Sequence, residues 1–149
     1  MRSLTEAAHL ARRFVTSLSR REPSAQDVAW ALEQLLPGEA ALWQRMSVQD
    51  RRHSILVARR FVALAGQPAR DEVAGALLHD VGKQASELGT FTRVVATIVG
   101  PRGDRFRRYH DHEAIGASMA AGAGSSPVTV ALIRGEGPSA PTLAAADHV

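Results

Sequence analysis

Apolar residues recur along most of this chain three and four positions apart, the period that gathers them on one face of an α-helix. Leu4, Ala7, Ala8, Ala11, Phe14, Val15 and Leu18 form one such stripe, and Ser3 followed by Glu6 reads as a capping box at its start. Ser24 with Asp27 opens a second helix carrying Val28, Leu32, Leu35 and Leu36, which Pro37-Gly38 is expected to stop. A short third segment, EAALWQRM, leads to Ser47 and Asp50, another cap signature. From there a helix runs to Gly66 with His53, Val57, Phe61 and Leu64 on its inner stripe. The next starts near Pro68 and ends at His79-Asp80, with Val73, Ala76 and Leu77 facing inward. Further helices are expected over about 90–99, over 112–121 after a basic loop (PRGDRFRRYHD), and over 126–134, where Pro127 suits a first helical position. Pro141 opens the last one. β-branched residues are few and no stretch alternates apolar with polar, so no strand is expected. The pattern predicts an all-α fold, one compact bundle of about eight or nine helices.

Composition narrows the class. With 149 residues, 45% hydrophobic and 22% charged, the chain has the make-up of one soluble globular domain with room for a core. No repeat, linker or low-complexity tract divides it. The net charge is +3, and Lys83 is the only lysine among 18 basic residues. The arginines fall largely in pairs (Arg12/Arg13, Arg20/Arg21, Arg51/Arg52, Arg59/Arg60), a distribution typical of solvated helix faces, and no nucleic-acid surface is expected. Cysteine is absent, which excludes disulfides, thiolate metal sites and cysteine nucleophiles. No apolar run approaches the ~20 residues of a membrane span, and the N-terminus lacks the apolar core of a secretory signal. The expectation is a cytoplasmic protein without a membrane partner.

The chemistry gathers at one short stretch, GALLHDVGK (75–83), where an apolar helical run ends in His79 and Asp80. Neighbouring helix positions point ~100° apart, so two adjacent polar arms can reach a common point only off a helix end. Gly82 is expected to ease that turn by adopting an unusual backbone conformation. Imidazole and carboxylate together suit manganese, iron, cobalt, nickel or zinc, and the carboxylate also admits magnesium. The plainer reading is a helix C-terminus where histidine favours the dipole and Asp80 begins a turn. An aspartate there is electrostatically disfavoured, and a cation would compensate it. His53 lies 26 residues before His79, a separation that two antiparallel helices and a short turn bring back to one level. Alone, an inward histidine such as His53 is more often a hydrogen-bonded core residue than a ligand. Asp147, among the apolar residues of LAAADHV, is a candidate to complete the set, because an unpaired carboxylate on a core-packed helix is costly.

The order His53, His79-Asp80, Asp147 resembles the signature of the HD-domain superfamily of metal-dependent phosphohydrolases. HSILVARRF is similar to that family's first motif, ALLHDVGK to its second, HDHEAIGASMA (110–120) to the stretch after the second, and LAAADHV to its closing aspartate motif. The likeness spans about 47–149, with 1–46 expected as a helical extension packed on that domain. The resemblance implies one divalent metal held by His53, His79, Asp80 and Asp147, with Lys83 near the substrate phosphate. His112 matches the position where binuclear members place a second-metal ligand. Where those members carry a histidine pair, this chain reads LIRGEG, with Arg134 and Gly135, so a second metal is not expected.

Together these readings give an expected activity: hydrolysis of a phosphoester of a nucleotide or another small phosphorylated molecule. The ion would polarise a phosphoryl oxygen and acidify its bound water. Asp80 would orient that water, and His112 or His110 would protonate the leaving oxygen. Lys83, Arg134 and the loop arginines, Arg108 among them, would neutralise phosphate charge. The alternative is a catalytically weak or silent module of the same fold with a regulatory, nucleotide-binding or protein-binding role.

Overall fold

The computed structural model of the protein describes residues 21–86 and 105–148, with side chains described over 21–83 and 112–148. Among the described residues there are seven α-helices, one 3-10 helix and no strand. The expected helices over 4–18 and 90–99 lie outside them, so the count of seven stands against eight or nine expected for the whole chain. In chain order the helices are α1 (Ala25–Glu33), α2 (Pro37–Gln44), α3 (Val48–Ala65) and α4 (Arg70–Leu78). The 3-10 helix Val81–Ser86 comes next, then α5 (Arg105–Gly122), α6 (Pro127–Ile133) and α7 (Ala140–Asp147). Among the described residues no helix is long and apolar enough to cross a membrane.

Most boundaries arise from local chemistry. Ser24, Ser47 and Ser126 each stand before a helix and accept a backbone N–H three residues on, from Asp27, Asp50 and Thr129. Gly66, at φ 87°, ends α3 in the left-handed region that costs glycine least. Three expectations need correction. Pro37-Gly38 does not stop α1, which already ends at Glu33; instead Pro37 opens α2, where its missing N–H leaves no bond unmade. The basic stretch before His112 is not a loop throughout, since α5 begins at Arg105. From Arg105 onward it contains no glycine or proline and is rich in arginine, a good helix former. Leu64 is not an inner residue: it is 60% exposed, because the last turn of α3 projects past its neighbours and residues 63–67 all face solvent.

The helices pack as α3 against α4 and α7, α4 against α6, and α5 against α6 and the 3-10 helix. Val57 and Phe61 of α3, Leu77 and Leu78 of α4, Val81 and Trp43 are fully buried. Removing each such side chain from water favours folding by roughly 1.5–3 kcal/mol. Ala31, Leu35, Trp43 and Met46 belong to the same buried cluster as the helices after residue 47, so the 21–46 segment and those later helices share one core. The Trp43 indole N–H donates to Ser54 Oγ at 2.9 Å, which in turn donates to the Arg51 carbonyl at 2.7 Å.

Beside that core lies a buried polar knot. Glu39 is fully buried. Its Oε1 accepts from the Leu36 N–H (2.8 Å) and from Arg70 Nη1 (3.0 Å), and its Oε2 accepts from Ser125 Oγ (2.6 Å). Arg70 also donates to the Gln34 carbonyl and pairs with Asp71. One carboxylate therefore ties α2, the start of α4 and the α5–α6 turn together, with its buried charge compensated.

Gly82 fixes the position of the segment after His79-Asp80. Its φ is not positive, so the expected backbone freedom is not what it supplies. It supplies closeness: a Cβ there would fall 1.9 Å from the His112 carbonyl oxygen and 2.8 Å from the Gly116 nitrogen. The 3-10 helix lies backbone to backbone on α5 only because both Gly82 and Gly116 lack side chains.

Candidate metal centre and its cavity

Three helices bring the expected ligands together. His53 stands on α3, His79 caps the C-terminus of α4 with Asp80 just beyond it, and Asp147 is the last residue of α7. The antiparallel α3–α4 pair returns the chain to the level of His53, and α7 packs across α3 through Leu143 and Ala146. Ala144 and Ala145, the other apolar neighbours of Asp147, are exposed, Ala144 towards the cavity described below.

One ligand atom each from His53, His79 and Asp147 lies within 4.8 Å of the other two, close enough to hold a metal ion. His53 Nε2 is 3.0 Å from Asp147 Oδ1, and His79 Nε2 is 3.4 Å from the same oxygen. Asp80 stands just outside this tightest group, with Oδ2 3.3 Å from His79 Nε2 and 4.0 Å from His53 Nε2. Two donors bound ~2.1 Å from one ion at tetrahedral or octahedral angles are about 3.0–3.4 Å apart. Most of these spacings already match that requirement.

The ring of His79 is oriented for ligation. Its Nδ1–H donates to the Ala76 carbonyl at 2.7 Å, one turn back on α4, which leaves Nε2 facing the carboxylates. That Nε2 is buried, and among the described residues no group meets it with hydrogen-bond geometry. A buried polar atom left without such a partner is uncommon and calls for a ligand.

The electrostatics point the same way. Burial opposes charge on His79 most strongly. The attraction of the Asp147 carboxylate, the nearby Asp80 charge and the Ala76 carbonyl together outweigh burial and raise its pKa above 6.5. The hydrogen bond from His53 and then the pull of His79, 3.4 Å away, hold the Asp147 carboxyl well below the usual carboxylate range. Without an ion, the carboxylates favour a proton on the His79 imidazole. A divalent cation would take the place of that proton.

The centre opens into a cavity of about 170 Å³. His79, Asp80, Lys83 and Asp147 line one part of its wall; His112, Glu113 and Gly135 contribute polar groups and backbone elsewhere; Leu132, Ile133, Ala140, Leu143 and Ala144 are apolar lining. Lys83 Nζ lies 3.2 Å from Asp80 Oδ2. His112 reaches the cavity from α5, and its buried Nδ1 has no hydrogen-bond partner among the described residues. Arg134 is exposed at the end of α6 and is not part of the cavity wall. The side chains of Arg108 and His110 lie outside those described.

Sequence reasoning missed Glu113 and the apolar wall. Glu113 sits directly after His112, and a second polar residue beside a candidate site histidine was the available signal. The apolar wall had none, because Leu132, Ile133 and Leu143 read as ordinary core positions. Comparison with models of protein families, with characterised proteins and with solved structures finds no match in any of the three.

Proposed function

We propose that the protein is a metal-dependent phosphohydrolase of the HD-domain type, acting in the cytoplasm. It holds one divalent ion with His53, His79, Asp80 and Asp147 and hydrolyses a phosphoester of a nucleotide or other small phosphorylated molecule. One observation carries the reading: His53, His79 and Asp147 from three helices, with Asp80 at their edge, converge where His79 Nε2 is buried without a hydrogen bond. The donor set fits a divalent ion of the manganese-to-zinc series or magnesium, since it combines imidazole nitrogen with carboxylate oxygen.

A bound ion would supply Lewis acidity to a phosphoryl oxygen. The chain's own groups do the rest. Asp80 orients the attacking water and takes its proton as the water oxygen bonds to phosphorus. Lys83, whose ammonium lies at the mouth of the centre beside Asp80, offsets charge on the phosphoryl oxygens. His112, on the same cavity wall, gives a proton to the leaving oxygen as the phosphorus–oxygen bond breaks. The apolar wall excludes water from the remainder of the bound ester.

Elemental analysis of the purified protein tests this directly, with about one divalent ion per chain expected. Added manganese at about a hundred times its dissociation constant should stabilise the fold by about 2.7 kcal/mol. Asp80→Asn and His79→Ala should abolish that stabilisation and the hydrolysis of a panel of phosphomonoesters and nucleotides, while retaining helical circular dichroism. A metal-free protein whose melting ignores every divalent ion would sink the proposal. A protein that binds the ion yet turns over no ester would favour the silent-module reading.

A further inference from the structure

We infer that Glu113 is a specificity-determining residue of the cavity, selecting esters whose leaving group carries a cationic nitrogen or another hydrogen-bond donor away from the phosphate. This rests on the phosphohydrolase reading above and names the substrate class of the same site. Glu113 projects from α5 into the cavity wall. Its Oε2 lies beside Gly135, 3.5 Å from where a Cβ on that glycine would stand, on the turn leading from α6 to α7. No described residue forms a hydrogen bond or ion pair with this carboxylate. Among the described residues it is the one carboxylate of the wall that does not belong to the His53–His79–Asp80–Asp147 centre.

The charge of the wall argues for what Glu113 receives. Among the described residues of the wall, Asp80, Asp147 and Glu113 face one cation, Lys83, which is already paired with Asp80. A divalent ion at the centre brings that wall to neutrality with the histidines uncharged. A phosphate dianion then makes the filled cavity negative again, at the price of repulsion from a free carboxylate in surroundings that are half apolar. A leaving group that brings an ammonium or a hydroxyl to Glu113 relieves that repulsion, and a purely apolar one leaves the carboxylate desolvated and unpaired. The volume sets a further limit. About 170 Å³ is below the ~300–1,000 Å³ usual for drug-sized ligands, so the part of the ester held inside is small.

O-phosphoethanolamine and propyl phosphate make a matched pair for the test, alike in size and differing in an ammonium against a methyl group. The full-length manganese-loaded protein is expected to prefer phosphoethanolamine by about tenfold in kcat/KM and in binding affinity measured by calorimetry. Glu113→Gln and Glu113→Ala should bring that ratio close to one, with propyl phosphate handled as well as or better than before and melting temperature unchanged. Hydrolysis of both esters with a ratio near one in the wild type, or a ratio that Glu113→Ala leaves intact, overturns the inference while the phosphohydrolase reading stands. Neither turnover nor binding of either ester overturns both.

Discussion

Replacing Gly82 with alanine probes the contact that holds the segment after His79-Asp80 in place. The added Cβ would sit 1.9 Å from the His112 carbonyl oxygen, and ordinary contact begins at 3.4 Å, so backbone must separate from backbone by about 1.5 Å. Neither side can yield by rotating a side chain, because the obstructing atoms are the α5 main chain at His112 and Gly116. Overpacking of this kind costs typically 1–3 kcal/mol, and a backbone clash belongs at the upper end. For a domain of this size that is a fall in melting temperature of about 5–10 °C. The strain also acts on Asp80 and Lys83, which flank the segment, so manganese affinity should drop with stability. Gly122→Ala is the internal control: it lies at the end of α5 with nothing within 4 Å, so its Cβ meets no clash. That variant should be neutral or gain up to about 1 kcal/mol from helix propensity. Thermal melts of the three proteins with and without manganese would read both effects. If Gly82→Ala melts within about 1 °C of the wild type, the backbone contact between the 3-10 helix and α5 is not as described.

Two further outcomes concern the buried charges. Glu39→Gln removes the carboxylate that compensates Arg70 and should cost about 2–3 kcal/mol in urea denaturation, with Arg70→Met costing more because it strands a fully buried carboxylate. Equal denaturation midpoints for wild type and Glu39→Gln would show that the knot contributes nothing to stability. In metal-stripped protein, the raised His79 pKa makes a contribution to stability that is complete below pH 6.5 and lost as pH rises through the raised value. The depressed Asp147 pKa makes one that is present above its ordinary value of 3.8 and lost as pH falls through the depressed value. Stability should therefore be greatest between about pH 3.8 and 6.5 and decline as pH rises beyond 6.5, with Asp147→Asn flattening the decline. A melting temperature independent of pH in the stripped wild type would contradict the pairing.

Much of this molecule was legible along the chain because its signals are local. Serine caps at Ser24, Ser47 and Ser126, the stop at Gly66 and the inward faces of Val57, Phe61 and Leu77 depend on neighbours within a few residues, and the helices stand where those signals put them. The meeting of His53 and His79 was legible for a related reason: a helical hairpin has a predictable return, and polar residues at helix ends have few places to point. Asp147 was a candidate from its apolar neighbours, and the family resemblance implied its place. What the linear pattern could not carry was anything set by one helix surface meeting another. Leu64 has the spacing of a core residue but no neighbour to cover it. Gly82 has the look of a conformational hinge but serves as a gap through which two backbones touch. Glu39 reads as an ordinary surface glutamate until Arg70, Ser125 and the Leu36 N–H surround it. GALLHDVGK with its partners determined which residues would meet. The packing of α5, α6 and α7 around them decided that Glu113 joins the cavity and Arg134 does not, because which side chains share a space depends on distances between helices that no spacing along the chain encodes.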